Sequence, residues 1–270
     1  MSVSHYENFP VASVLLPAAL RHPVSVIYQF ARSADDFADE GQLSPPERLA
    51  LLEGYRMELR QLEAGQLSAS PLFRELHQVI ALHRLPLAPF YDLLDAFSQD
   101  VTKLRYANFG EVMDYCRRSA DPVGRLMLHL YAQADDENVA CSDAICSALQ
   151  LINFWQDVAI DFRKNRIYLP LEDMARFGVT EDQIAASDAT GGWRDLIRFQ
   201  SDRSRRMMLR GAPLAARLPG RIGLEIRTVV QGGLRILEKL DRARGDVFRR
   251  RPVLRAWDWP LMLARALMMR

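Results

Sequence analysis

Two acidic runs stand inside otherwise apolar, helix-patterned stretches: Asp35-Asp36-Phe37-Ala38-Asp39, and Asn153-Phe154-Trp155-Gln156-Asp157-Val158-Ala159-Ile160-Asp161. Spaced i,i+4, Asp35 and Asp39 share one helix face, as do Asp157 and Asp161 with Asn153 one turn before them. Like charges stacked this way repel, at about 0.2–0.5 kcal/mol per pair on an isolated helix, and burying them unpaired costs far more. A cation between the two runs resolves the conflict. Hard carboxylate oxygens suit magnesium, which retains several waters and completes its shell with substrate phosphates, so a diphosphate is the expected handle.

The flanks carry the same chemistry. Tyr28, Arg32, Asp35 and Asp39 follow at i, i+4, i+7 and i+11, placing an aromatic ring, a guanidinium and two carboxylates on one face. Arg32 is expected to hold a phosphate oxygen bidentately; the plain alternative is an i,i+3 surface pair with Asp35 worth ~0.3 kcal/mol. Around the second run, Leu149, Leu151, Ile152, Phe154, Trp155, Val158 and Ile160 make the helix apolar on almost every side. Its polar face must then point into a cavity, or into an ordinary buried polar network. Arg163, Lys164 and Arg166 follow at once, before Ile167-Tyr168-Leu169-Pro170, as an anion clamp beside a metal site. None of the five histidines has a metal-ligand spacing, no P-loop is present, and Gly220-Arg221-Ile222-Gly223 is too short for a dinucleotide fingerprint.

Helical periodicity runs from end to end and alternating strand patterns are absent, which predicts an all-α fold. Ser44-Pro45-Pro46-Glu47 supplies a capping serine, a proline at the first helical position and a glutamate at the third, opening a helix to roughly Leu62. Ser70-Pro71 and Asp121-Pro122 are further starts, and Thr180 with Gln183 caps one short helix between the breaks at Pro170 and Gly191-Gly192. With no repeat and no shift in composition, residues 1–270 read as one domain, whose 49% hydrophobic content can fill a sizeable core. A net charge of +1 argues against nucleic-acid binding through bulk electrostatics. Cys116, Cys141 and Cys146 form no disulfide framework, and the start of the chain lacks a signal-peptide pattern, so a reducing cytoplasm is expected. The ending, with Arg249-Arg250-Arg251, Trp257, Trp259 and Leu261-Met262-Leu263, reads as a final helix packed on the core with solvated arginines, or as a surface that grazes an anionic membrane. The sequence leaves the oligomeric state open.

These residues resemble the squalene and phytoene synthase family of isoprenoid-condensing enzymes. The likeness runs from about His5 to the C-terminal basic stretch. It is carried by Tyr28-x-Phe30-x-Arg32-x-x-Asp35-Asp36-x-x-Asp39, by Tyr115-Cys116, and by Gln150-x-x-Asn153-x-x-Gln156-Asp157-x-x-x-Asp161 ending in Arg166-Ile167-Tyr168-Leu169-Pro170. The resemblance implies one isoprenoid synthase-type helical bundle whose aspartate motifs face each other across a central hydrophobic cavity. It implies that the five aspartates hold magnesium and, through it, a diphosphate; that Gln150 and Asn153 line the same region; and that Arg32 and Arg166 grip phosphate oxygens with His5, Asn8 and Tyr168 nearby. Tyr28 and Tyr115 would line the reacting end, where an aromatic face stabilises a carbocation.

Glu7-Asn8-Phe9-Pro10-Val11-Ala12-Ser13 and, later, Asn153-Phe154-Trp155-Gln156-Asp157 are similar to the branch of the family in bacterial hopanoid synthesis. Members of that branch ionise presqualene diphosphate, rearrange the cation and quench it with water. Presqualene diphosphate or phytoene synthesis from two prenyl diphosphates is the alternative within the fold, and a catalytically silent helical partner the alternative outside it. Several positions depart from the family pattern. Asn8 stands where many relatives have serine and Gln156 where they have arginine. Ser119-Ala120-Asp121 replaces a common Val-Ala-Gly, and Gly232-Gly233 appears where a tyrosine is common. The last two changes are expected to provide room and polarity for the quenching water.

Overall fold

A computed structural model describes residues 16–269 of the chain. Thirteen helices form the described residues, joined by short turns: α1 (Ala18–Asp39), α2 (Pro45–Glu63), α3 (Pro71–His83), α4 (Ala88–Thr102), α5 (Phe109–Ser119), α6 (Asp121–Leu130), α7 (Asp136–Arg163), α8 (Leu171–Arg176), α9 (Glu181–Ala185), α10 (Trp193–Gly211), α11 (Leu214–Arg217), α12 (Gly220–Arg242) and α13 (Asp258–Met268). The all-α expectation holds, and the one β feature among these residues is an isolated parallel bridge between Arg105 and Ile167. Local chemistry sets the boundaries. Glu47 accepts the Ser44 backbone N–H at 2.8 Å with proline behind it, Asp135 caps α7 through the Asn138 N–H at 2.9 Å, and Thr180 caps α9 through the Gln183 N–H at 3.2 Å. No helix among the described residues is long and apolar enough to cross a membrane.

Two apolar clusters form the core. In the first, α1 turns Ile27, Phe30, Ala34 and Ala38 toward α2, α3 and α4, with Phe30 set edge-on to Phe73 and Phe90. The second surrounds α7 and includes Leu151, Ile152, Phe154, Trp155 and Val158 packed with α5, α10 and α12. The 28-residue α7, about 42 Å long at 1.5 Å per residue, is the central strut. Close approach to it demands small residues: a Cβ on Gly124 would meet Ser142 Oγ at 2.4 Å, and one on Gly233 would meet Met208 Cε at 2.6 Å. The space expected at Gly233 is therefore filled by Met208, Leu149 and Ile152, and serves helix packing rather than a water.

At the end of the chain, α13 buries Asp258, Met262 and Ala266, and Asp258 accepts hydrogen bonds from Arg235 Nε at 2.8 Å and from Lys239. Its outward side carries Trp257, Leu261, Leu263, Leu267 and Met268, all exposed. The arginine run before it is not uniformly solvated. Arg249 and Arg250 are exposed, but Arg251 turns inward to Asp157.

Candidate functional site

The first motif lies where the apolar stripe of α1 gives way to its polar face. Arg32, one turn ahead, pairs with Asp35 at 3.3 Å and with Asp36 at 2.6 Å, so the expected i,i+3 contact forms and the guanidinium is engaged by its own motif. Tyr28 continues the face at a half-buried position. Asp39, at the last turn, receives Lys164 Nζ at 2.9 Å and Arg166 Nη1 at 2.6 Å. That contact spans 125 residues and joins the first motif to the basic segment following the second.

On α7, Gln150, Asn153, Asp157 and Asp161 fall on one face within about a quarter of a turn, all half-buried. Asp157 is gripped through both oxygens by Arg251, with Nη2 at 3.0 Å from Oδ2. Beyond α7, the chain is tied alongside residues 104–107: the Ile167 N–H donates to Leu104 O at 3.0 Å and the Leu171 N–H to Tyr106 O at 2.9 Å. This tether aims Arg166 and Tyr168 back at the aspartates. The polar face of α7 is thus neither solvated nor internally satisfied; residues brought by tertiary structure complete it.

The electrostatics reflect crowding by acids. Burial, then the neighbouring Asp157, push the Asp161 carboxyl up to about 8. Burial, then Asp39, push Asp35 up to about 7, although a third of that side chain reaches solvent. For Asp39, burial works in the same upward direction, but Arg166 and Lys164 outweigh it and hold the carboxyl below its usual range. Asp35 and Asp161 are therefore short of positive charge where Asp39 is not. Among the described residues no three acidic, histidine or cysteine side chains stand close enough to hold a metal ion as they are, and Asp36, Asp39 and Asp157 are each paired with an arginine. Asp35, Asp36, Asp39, Asp157 and Asp161 are the hard-oxygen donors that a divalent cation would have to draw together, displacing the bases now paired with them.

Behind the aspartates lies an aromatic wall. Phe154 stacks on Tyr168 with centroids 3.8 Å apart and planes 6° from parallel, and Tyr115 and Tyr106 pack against Tyr168 at 5.6 and 5.5 Å. The hydroxyls of Tyr115 and Tyr168 both donate to Asp100 on α4, at 2.6 and 2.9 Å. Two charged groups here escaped the sequence reading: Asp100, which receives both hydroxyls, and Arg251, which pairs with Asp157. Others lie elsewhere than expected. Asp121 is 2% exposed and accepts from Ser147 Oγ at 2.7 Å, among Asp143, Arg125 and Arg117. Ser119, two residues earlier in the chain, is half-buried and its Oγ is enclosed without a hydrogen-bond partner. His5 and Asn8 lie outside the described residues. Two clefts of about 300 and 320 Å3, lined by Arg194 to Gly245 and by Ser187 to Arg249, carry no motif aspartate and are not the apolar chamber that was expected.

A helical bundle that brings two aspartate motifs together over an aromatic floor defines the isoprenoid synthase class. The sequence profile of squalene/phytoene synthase matches residues 3–258, and the chain belongs to this family. It is 37% identical over 228 residues to a hydroxysqualene synthase of Zymomonas mobilis, covering 83% of this chain and 75% of that one. The corresponding enzyme of Rhodopseudomonas palustris is 35% identical over 236 residues, covering 87% and 79%. Among solved structures, squalene synthase HpnC from Alicyclobacillus acidocaldarius superposes with a TM-score of 0.83 at 40% identity, covering 89% of this chain and 90% of that one. A dehydrosqualene synthase in complex with ligand gives 0.84 at 22% identity over 94% and 88%, which speaks to the fold alone.

Proposed function

We propose that this enzyme ionises presqualene diphosphate, rearranges the cation and captures it with water, releasing hydroxysqualene and diphosphate. The observation that carries the reading is the meeting of the two aspartate motifs through Asp39, Lys164 and Arg166, above the wall of Tyr115, Phe154 and Tyr168. The hydroxysqualene synthases at 35 and 37% identity support this outcome over condensation. Magnesium bound by the aspartates would neutralise the leaving diphosphate. Arg32, Lys164, Arg166 and Arg251 have the charge and placement to bind its oxygens, and Gln150 and Asn153 to orient it. The aromatic rings offer π faces to the cation while excluding bulk water.

Purified protein should convert presqualene diphosphate to the alcohol with magnesium present, read by mass spectrometry, and lose that activity with a chelator. A protein that instead joins two farnesyl or two geranylgeranyl diphosphates is a condensing synthase, the activity named for its more distant phytoene synthase relatives. For a substrate this apolar, the outward face of α13 with Arg249 and Arg250 nearby in the chain supports peripheral contact with an anionic membrane. Co-sedimentation with vesicles containing phosphatidylglycerol, abolished in Leu263→Glu/Leu267→Glu, tests it; equal pelleting of the variant defeats it.

A further inference from the structure

Asp100 belongs to neither motif, yet it is the most enclosed carboxylate near the site. It sits on α4 with 5% exposure and receives two phenol hydroxyls, Tyr115 from α5 at 2.6 Å and Tyr168 from beyond α7 at 2.9 Å. Its charge acts on Asp35, on Arg166 and on Tyr106, so it stands against the reacting end rather than in a remote part of the core. Burial raises its carboxyl to about 6, while Tyr115, Arg166 and Tyr168 work to keep it ionised. Both tyrosine hydroxyls are pushed well above their ordinary range, first by burial and then by Asp100, and remain protonated donors.

A phenol that donates to a carboxylate is fixed about its ring axis, with its proton turned away from the space the ring faces. The hydrogen bond also pushes electron density into the ring, which strengthens its attraction for a cation. Phe154, which has no hydroxyl, stacks on Tyr168 and tilts against Tyr115, so both rings that Asp100 pins bear on its placement. We propose that Asp100 is a positioning residue that pins the hydroxyls of Tyr115 and Tyr168, fixes the aromatic wall beside the rearranging carbocation, and thereby controls both the rate of ionisation and the product released. It touches no reacting atom. The inference rests on the carbocation chemistry proposed above, and a merely structural role for this buried triad is the competing account.

A double-mutant cycle separates them, with full-length Asp100→Asn, Tyr115→Phe/Tyr168→Phe and the triple variant assayed for kcat, KM and product distribution. Asp100→Asn is expected to lower kcat about tenfold or more with KM within about twofold, and to change the ratio of alcohol to hydrocarbon. On the double-phenylalanine background the same change should have no further effect, because the hydroxyls it acts through are gone. Equal losses on both backgrounds, or an unchanged product ratio, overturn the proposal. If Asp100→Asn does not fold, the double-phenylalanine variant carries the test alone, and wild-type kcat and product ratio there overturn it. A wild type that forms no alcohol from presqualene diphosphate defeats only the reading of the reaction, and the cycle is then run on whichever condensation product it forms. A wild type silent toward all three prenyl substrates defeats both.

Discussion

The two aspartate helices solve the same electrostatic problem in opposite ways. On α1 a local cation is available: Arg32, one turn from Asp35 and Asp36, pairs with both. On α7, Asp157 is paired with Arg251, 94 residues later, while Asp161 feels Arg166 and Lys164 just past the helix and still has its carboxyl raised to about 8. The start of the α1 motif is paired within its own helix, and only Asp39 at its end draws on distant bases. Asp157 on α7 gains its arginine only once the C-terminal part of the chain has folded against it.

If both motifs serve one metal-diphosphate assembly, losing either is equally damaging. Asp35→Ala and Asp157→Ala should each reduce turnover by about 10^3-fold or more, with the helical circular dichroism retained; substantial activity in one of them breaks the pairing. Arg251→Gln removes the only long-range cation on Asp157 that the contacts above identify, and kcat/KM should fall about 10- to 100-fold. Exposed Arg250→Gln is its control and should stay within about twofold.

Metal affinity sharpens the comparison through pH. Asp35 and Asp161 hold protons up to about 7 and 8 without metal, so magnesium must displace them below that range. Apparent magnesium affinity, read as a thermal shift, should rise by up to about tenfold per pH unit per displaced proton between pH 6 and 8 and then level off. A flat profile would mean that neither carboxyl is a ligand.

Stability should separate Asp161 from Asp39 by sign. The folded state raises Asp161 far above its ordinary 3.8, so the unfolded chain ionises first and wild-type stability falls as pH rises from about 4 to about 8. Asp161→Asn removes that penalty, and should raise Tm by about 2–4 °C at pH 8 and by little at pH 4. Asp39 is held below its ordinary range, so its contribution is present above about pH 4 and lost as pH falls further. Asp39→Asn should accordingly lower Tm at neutral pH. Smallest of all, Lys164→Met removes a pair whose lysine is 45% exposed, and should cost about 0.5 kcal/mol or less in a denaturant melt.

The parts of this site legible in the sequence are those that follow from helical spacing. The shared faces of Tyr28 to Asp39 and of Gln150 to Asp161, the caps at Ser44 and Thr180, and the all-α fold all appear as read. Asp100 left one faint signal: it occupies the register of buried Leu93, Ala96 and Phe97 on α4, where a charge needs an explanation. Arg251 left none, because one arginine in a run of three looks like its neighbours until a loop turns it inward. Gly233 misled for a similar reason, since a missing side chain in a sequence does not say whether solvent or a methionine fills the gap.

Asp39 holds Lys164 and Arg166, so a prospective metal ligand and two prospective anion receptors are spending their charge on each other. A cation that takes the carboxylate sets both bases free, and an anion that takes the bases frees the carboxylate. Each ligand must therefore tighten the other by the same factor. Neither a bare divalent ion nor a stray phosphate can open this lock as well as the two arriving together.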